Sequence, residues 1–209
     1  MNLDNKKYEI TDIVHEKYPF LHRIRALRDV GPTVKAGDLG GFVEGEWNLS
    51  QEDADSWIYH NAIAANAACV ESGAILRDDA VVCGEARVQE MAVMAGSARA
   101  EDHAVVNGAR VEGSARVSGH GMAFSISPSK FPVVSGASVV HGIVSGNILL
   151  TGEAVVLGDE KIANDALDRL VVTEEGRRIE RSPVRDQLVP SAQYFGRNKP
   201  RQKHKEAER

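Results

Sequence analysis

Three side chains suited to acid–base chemistry recur at matched spacing: Glu85, His103 and His120. Each directly precedes a small residue (Ala86, Ala104 or Gly121), and the separations are 18 and 17 residues. A carboxylate beside an imidazole orients the ring and raises its basicity, as a general base requires. His120 is the first choice for that base, because it lies just ahead of an irregular, proline-containing stretch; His141, beyond that stretch, could face the same opening. A second set is cationic. Arg99 and Arg116 each follow an alanine and stand 17 apart. Two guanidinium groups held side by side repel unless they meet an anion, and guanidinium grips carboxylate or phosphate through paired N–H groups. Arg99, Arg116 and His141 are therefore candidates to bind a nucleotide-like or other anionic ligand. Plainer readings stand beside both: an outward histidine is unremarkable, and Glu101 or Glu112 can neutralise the arginines.

These spacings mean something only if residues about 18 apart lie side by side. The chain supplies that condition. Ala62, Ala68, Ala74, Ala80, Ala86, Ala92, Ala98 and Ala104 recur every sixth residue, each followed two places later by a mostly apolar residue such as Val70, Leu76, Val82 or Val88. Gly, Asn, Asp or Ser falls between the repeats, although Glu90 breaks that pattern. One residue is skipped before Ala109, and the ladder resumes with Ala115. A period of six is an internal repeat. Each Ala-x-Val unit puts two side chains on one face of a short strand. The intervening residues turn the chain, a task that Gly, Asn and Asp tolerate. Strands this short cannot bury a face alone, so coils must stack around one slender core.

Val82-Cys83-Gly84-Glu85-Ala86-Arg87 resembles the V-x-G-x-A-x hexapeptide repeat of left-handed parallel β-helices. The resemblance implies an all-β solenoid with three hexads per coil, about 18 residues. The leader Gly37-Asp38-Leu39-Gly40-Gly41-Phe42-Val43, with Asn48-Leu49-Ser50 and Trp57-Ile58-Tyr59, is similar to that of YdcK-like and bacteriophage hexapeptide-repeat proteins. Enzymes of this fold, by resemblance, are trimers that place a histidine at the cleft between protomers. There it deprotonates an acyl acceptor while acyl-CoA lies along the rod. The related γ-class carbonic anhydrases use three histidines, two of them five apart; no two histidines here have that spacing, so no metal site is expected.

Composition narrows the remaining classes. Aromatics make up 5% of the 209 residues, which suits a thin solenoid better than a sandwich. Cys69 and Cys83 are 14 apart, out of phase with the repeat, and read as free thiols in a reducing cytoplasm. Gly37-Asp38-Leu39-Gly40-Gly41 lacks the lysine and following helix of a phosphate loop. Met1–Lys7 carries no apolar run, so no signal peptide is expected, and no run long enough to span a membrane follows. From Arg177 to Arg209 ten basic residues face four acidic ones, a +6 tail on a body of −11 within the total of −5. Such a tail can contact nucleic acid, though a solvated end or a contact with an acidic body is favoured.

Along the chain, residues 1–45 should cap the open end of the solenoid, with a hairpin from Tyr8–Thr11 and Leu21–Leu27. His15 and His22 lie in this hairpin as ordinary strand or surface residues. Residues 46–160 form the β-helix, about five coils and about 25 Å long, with an extruded loop at about 122–135. Residues 161–209 hold a short helix over Ile162–Leu170 and the basic tail, with a second ordered piece at Val184–Phe195 and mobility from Lys199. The sequence as a whole points to a cytoplasmic, non-catalytic binding or assembly module that takes a protein or small anion without a cofactor; the leader likeness implies a phage origin, and the resemblance to the fold's enzymes implies a trimer. The second reading is an acyltransferase using acyl-CoA with His120 as base.

Overall fold

The computed structural model describes residues 6–53 and 55–182. Most of the basic tail, with the expected pieces at 184–195 and 199–209, lies outside the described residues. The rest is a three-faced parallel β-solenoid. Its sheets have nine, eight and six strands, and the chain visits the three faces in rotation. The first face stacks Leu39–Val43, Ile63–Ala64, Val81–Val82, Arg99–Ala100, Arg116–Val117, Val139–Val140 and Val155–Val156. The second stacks Cys69–Val70, Arg87–Gln89, Val105–Asn107, Met122–Phe124, Ile143–Gly146 and Lys161–Asn164. The third runs from Trp57–Ile58 through Ile75–Leu76, Val93–Met94, Arg110–Val111, Val133–Val134 and Ile148–Leu150 to Arg169–Thr173.

Register follows the repeat. Val81 pairs with Arg99, 18 residues on, and Arg99 with Arg116 across the skipped residue. The ladder alanines Ala62 to Ala104 and their partners Val70, Leu76, Val82, Val88, Met94, Ala100 and Val106 are all fully buried. About seven turns form, not five, for a rod of about 30 Å at the usual strand spacing. The additional turns escape the repeat because their inward residues are Val43, Leu49, Ile58, Ile162 and Val172, with no Ala-x-Val signature.

The corners carry the turn formers. His60, Asn66, Ser72, Asp78, Glu90, Met91 and Asp102 all have φ between 54° and 62°. Their side chains also tie coil to coil. Asn66 Oδ1 accepts the Gly84 N–H at 3.2 Å, Asp78 Oδ2 that of Gly96 at 3.0 Å, and Asp102 Oδ2 that of Gly119 at 2.9 Å. Each bond satisfies a donor that the corner leaves unpaired.

Tyr8–Val14 (β1) and His22–Ala26 (β2) form the expected antiparallel hairpin, and β2 pairs with Leu39–Val43 (β3). Because β3 also pairs in parallel with Ile63–Ala64, cap and solenoid share one sheet. Lys7 fastens this junction. Its fully buried Nζ lies 2.9 Å from Asp53 Oδ1 and 3.1 Å from the Ser56 hydroxyl and carbonyl. Burial lowers the Lys7 pKa, with Asp53 opposing. Burial pushes Asp53 up, but Ser56 and Lys7 outweigh it and hold the carboxyl below its usual range.

Two boundaries differ from expectation. Met122–Phe124 and Val133–Val134 stay in their sheets, so the extruded loop is confined to residues 125–132. The segment expected as a helix at Ile162–Leu170 is instead strand, bend, strand. Lys161–Asn164 pairs with Ile143–Gly146, and Leu170–Val172 with Ile148–Leu150. Open sheet edges of the preceding coil supply backbone partners, and that tertiary pairing overrides a short helical period. Gly176–Glu180 then turns back along the last strand.

Candidate functional site

The edge between the first and second faces carries the Glu85, His103, His120 and His141 candidates. At this corner the chain leaves the first face after Ala100, turns through Asp102 with φ 61°, and enters the second face at Val105. The residue just before the inward Ala86, Ala104 or Gly121 therefore projects outward from the edge in three successive coils. Glu85 and His103 meet there, Oε2 to Nδ1 at 3.2 Å. The rings of His103 and His120 stack with centroids 4.9 Å apart and planes 5° from parallel. These three residues thus form a continuous column, as the spacing implies. The column is exposed, with the His103 side chain 50% and Glu85 66% accessible. Water screens such a pair, so its role is orientation rather than stability. Of the two rings, the carboxylate touches His103, and His120 is held only by the stack.

His141 does not continue this column. Between Val117 and Met122 the corner has four residues, but between Val140 and Ile143 it has two. The shortened corner sets His141 over Ser118, with Nδ1 3.2 Å from the hydroxyl.

Arg99 and Arg116 lie side by side on the first face, directly paired in register. The anion between them is Glu101. Its Oε1 takes the Arg99 Nε–H and its Oε2 lies 3.2 Å from Arg116 Nε, with the carboxylate side chain only 17% exposed. Burial opposes the Arg99 charge, but Glu101 outweighs it and the Arg99 pKa rises. A ligand here would add to a pair already bridged, through the outer N–H groups. Cys83 occupies the Glu101 position one coil earlier; burial, then the Glu101 charge, push its thiol up. A raised thiol is a poor nucleophile at neutral pH.

The extruded loop belongs to another edge. It leaves Phe124 on the second face and returns at Val133 on the third, so it does not cover His120 of its own chain. The edge beneath it holds Met91, Arg110 and Phe131, none of which belongs to the histidine column or the arginine pair. Glu90, the single break in the turn-former pattern, was the available signal.

Among the described residues no three His, Cys, Asp or Glu side chains group as metal ligands would, and no helix is long and apolar enough to cross a membrane. No protein-family model matches the chain, and no curated protein sequence matches it.

Proposed function

We propose that this chain is a non-catalytic binding or assembly module of the hexapeptide-repeat type, working as a homotrimer in the cytoplasm and offering its edges to a protein or small anionic partner. The observation behind this reading is an apolar column on the outside of the second face. Val105, Met122 and Ile143 stack on consecutive coils with Phe124 alongside, all half-buried in the single chain. A solvated sheet face alternates apolar-in and polar-out; here one outward column is apolar over three coils, between Arg87 and Lys161, as suits a patch covered by another protomer. Buried Ala, Val, Leu and Ile side chains line the axis of the rod, so binding is expected outside it. Sedimentation equilibrium checks the assembly. The wild-type chain should sediment at three times its own mass, and Met122→Glu/Ile143→Glu should sediment as a folded monomer. A wild-type monomer at all concentrations removes the reading.

A second reading, acyl transfer from acyl-CoA, draws on the Glu85–His103–His120 column. A neighbour packed on the second face would stand beside that edge, and its own extruded loop could reach over it. The carboxylate fixes the Nδ1 side of His103, leaving Nε2 to accept a proton, with His120 stacked next to it. Coenzyme A should then raise the melting temperature. His120→Ala and His103→Ala should each abolish turnover of an identified acceptor. Full activity in both variants ends this reading.

A further inference from the structure

The edge between the second and third faces holds a cleft of about 570 Å³ beneath the extruded loop. Such a volume lies within the range that small-molecule sites occupy, about 300–1,000 Å³. Met91, Val93, Ile126 and Phe131 supply an apolar wall, and Arg110 and Glu90 are the charged groups lining it. Two of the apolar side chains are strongly exposed, Met91 at 73% and Ile126 at 46%. Among the described residues no carboxylate lies within ion-pair distance of Arg110.

The backbone gives an independent pointer. Glu90 and Met91 are consecutive non-glycine residues in the left-handed region, with φ 56° and 58°. The coil before places Ser72 and Gly73 at this corner, and the coil after places Gly108 there. A methionine held in the left-handed conformation that the preceding coil gives to Gly73 is strained, and strain of this kind gathers at functional sites. Gly73 also makes room for it: a Cβ on Gly73 would lie 3.2 Å from Met91 Cγ. The conformation costs stability and displays a thioether side chain at the mouth of the cleft.

The geometry points to a binding site in this cleft for a small monoanion with an apolar body, its charge paired to Arg110 and its body against Met91, Ile126 and Phe131. Arg110 selects the class: it is the cation at the apolar wall, and neither Glu90 nor any other carboxylate among the described residues pairs with it, so an aliphatic or aromatic carboxylate gains an ion pair there that a neutral analogue does not. The site is built within one chain and goes beyond the assembly reading without depending on it.

Titration of the full chain with 3-phenylpropionate, followed by calorimetry and by the methyl resonance of Met91, tests the assignment. Saturable one-to-one binding is expected with a dissociation constant on the order of a millimolar or below. The alcohol 3-phenylpropan-1-ol and plain propionate should each bind at least about 10-fold more weakly, as charge-assisted pairing and apolar contact are both required. Arg110→Gln should weaken binding about 10-fold, and Arg87→Gln, on another face, should leave it unchanged. Met91→Gly should raise the melting temperature by about 2–4 °C while weakening binding. The proposal is overturned if nothing saturates by about 10 mM, if the alcohol or propionate binds equally well, or if Arg110→Gln or Met91→Gly binds as tightly as the native chain. A monomeric chain that still binds separates this result from the fate of the trimer.

Discussion

The imidazoles of His103 and His120, one coil apart, stack 4.9 Å between centroids and within 5° of parallel, with Glu85 against the outer edge of the first. Because this column stands in solvent, its members can be removed without harm to the fold. His103→Ala and His120→Ala should each change unfolding free energy by less than about 0.5 kcal/mol, as surface substitutions do. Urea unfolding checks this; a loss of several kcal/mol in either variant would mean that the column is structural.

Lys7 and Asp53 should differ in cost when removed singly. Asp53→Ala leaves a buried ammonium unpaired and also takes the acceptor from the Ser56 and Ser72 N–H groups. It should cost about 3–5 kcal/mol. Lys7→Met removes the buried charge and leaves the partly exposed Asp53 on the Ser56 and Ser72 N–H groups, so it should cost less, about 1–2 kcal/mol. Equal losses in the two variants would contradict this account.

The same pair sets a pH dependence. Asp53 lies below its ordinary value in the folded chain, so its contribution is complete above the unfolded carboxyl pKa of about 3.9 and is lost as pH falls through the folded value. Lys7 is lowered, so the cost of its burial is fully present below its folded value and lifts as pH rises through that value toward the unfolded one of about 10.4. Melting temperature against pH should show an acid-side loss that Asp53→Asn abolishes. An unchanged acid limb in that variant would place the loss elsewhere.

Glu101 holds two arginines that would otherwise repel. Glu101→Gln should cost about 1 kcal/mol, an estimate for a networked and partly exposed pair. Adding Arg99→Gln should restore most of it. Phosphate should stabilise Glu101→Gln more than the native chain, because the freed guanidinium groups then take an external anion. If phosphate stabilises both equally, Arg99 and Arg116 form no latent anion site.

The slender core should resist enlargement. Ala98→Leu puts three further carbons into a fully buried position between coils and should cost about 1–3 kcal/mol or more. A neutral result by thermal melting would mean that the coils can spread.

Much of this molecule was legible in the chain because its contacts are periodic. With a fixed rise per coil, residue spacing translates directly into proximity, so Glu85, His103 and His120 could be aligned from numbers alone. Where coil length changes, that translation fails. The spacing lets His141 face the same opening as His120, yet a corner two residues shorter sets it above Ser118. The stretch from Ile162 to Leu170 suggested a helix by its apolar spacing, but the backbone groups of the preceding coil were open and drew it into strands.

The alanine ladder and its turn formers alone determined a parallel solenoid with a small-residue core, since no other stacking buries two side chains per hexad. Only the tertiary structure decided which anion lies between Arg99 and Arg116, and over which edge the 125–132 loop hangs. It also decided that Met91 stands strained at the mouth of a cleft. Rotamers, corner lengths and loop trajectories answer to neighbours far away in sequence, and a periodic pattern carries no record of them.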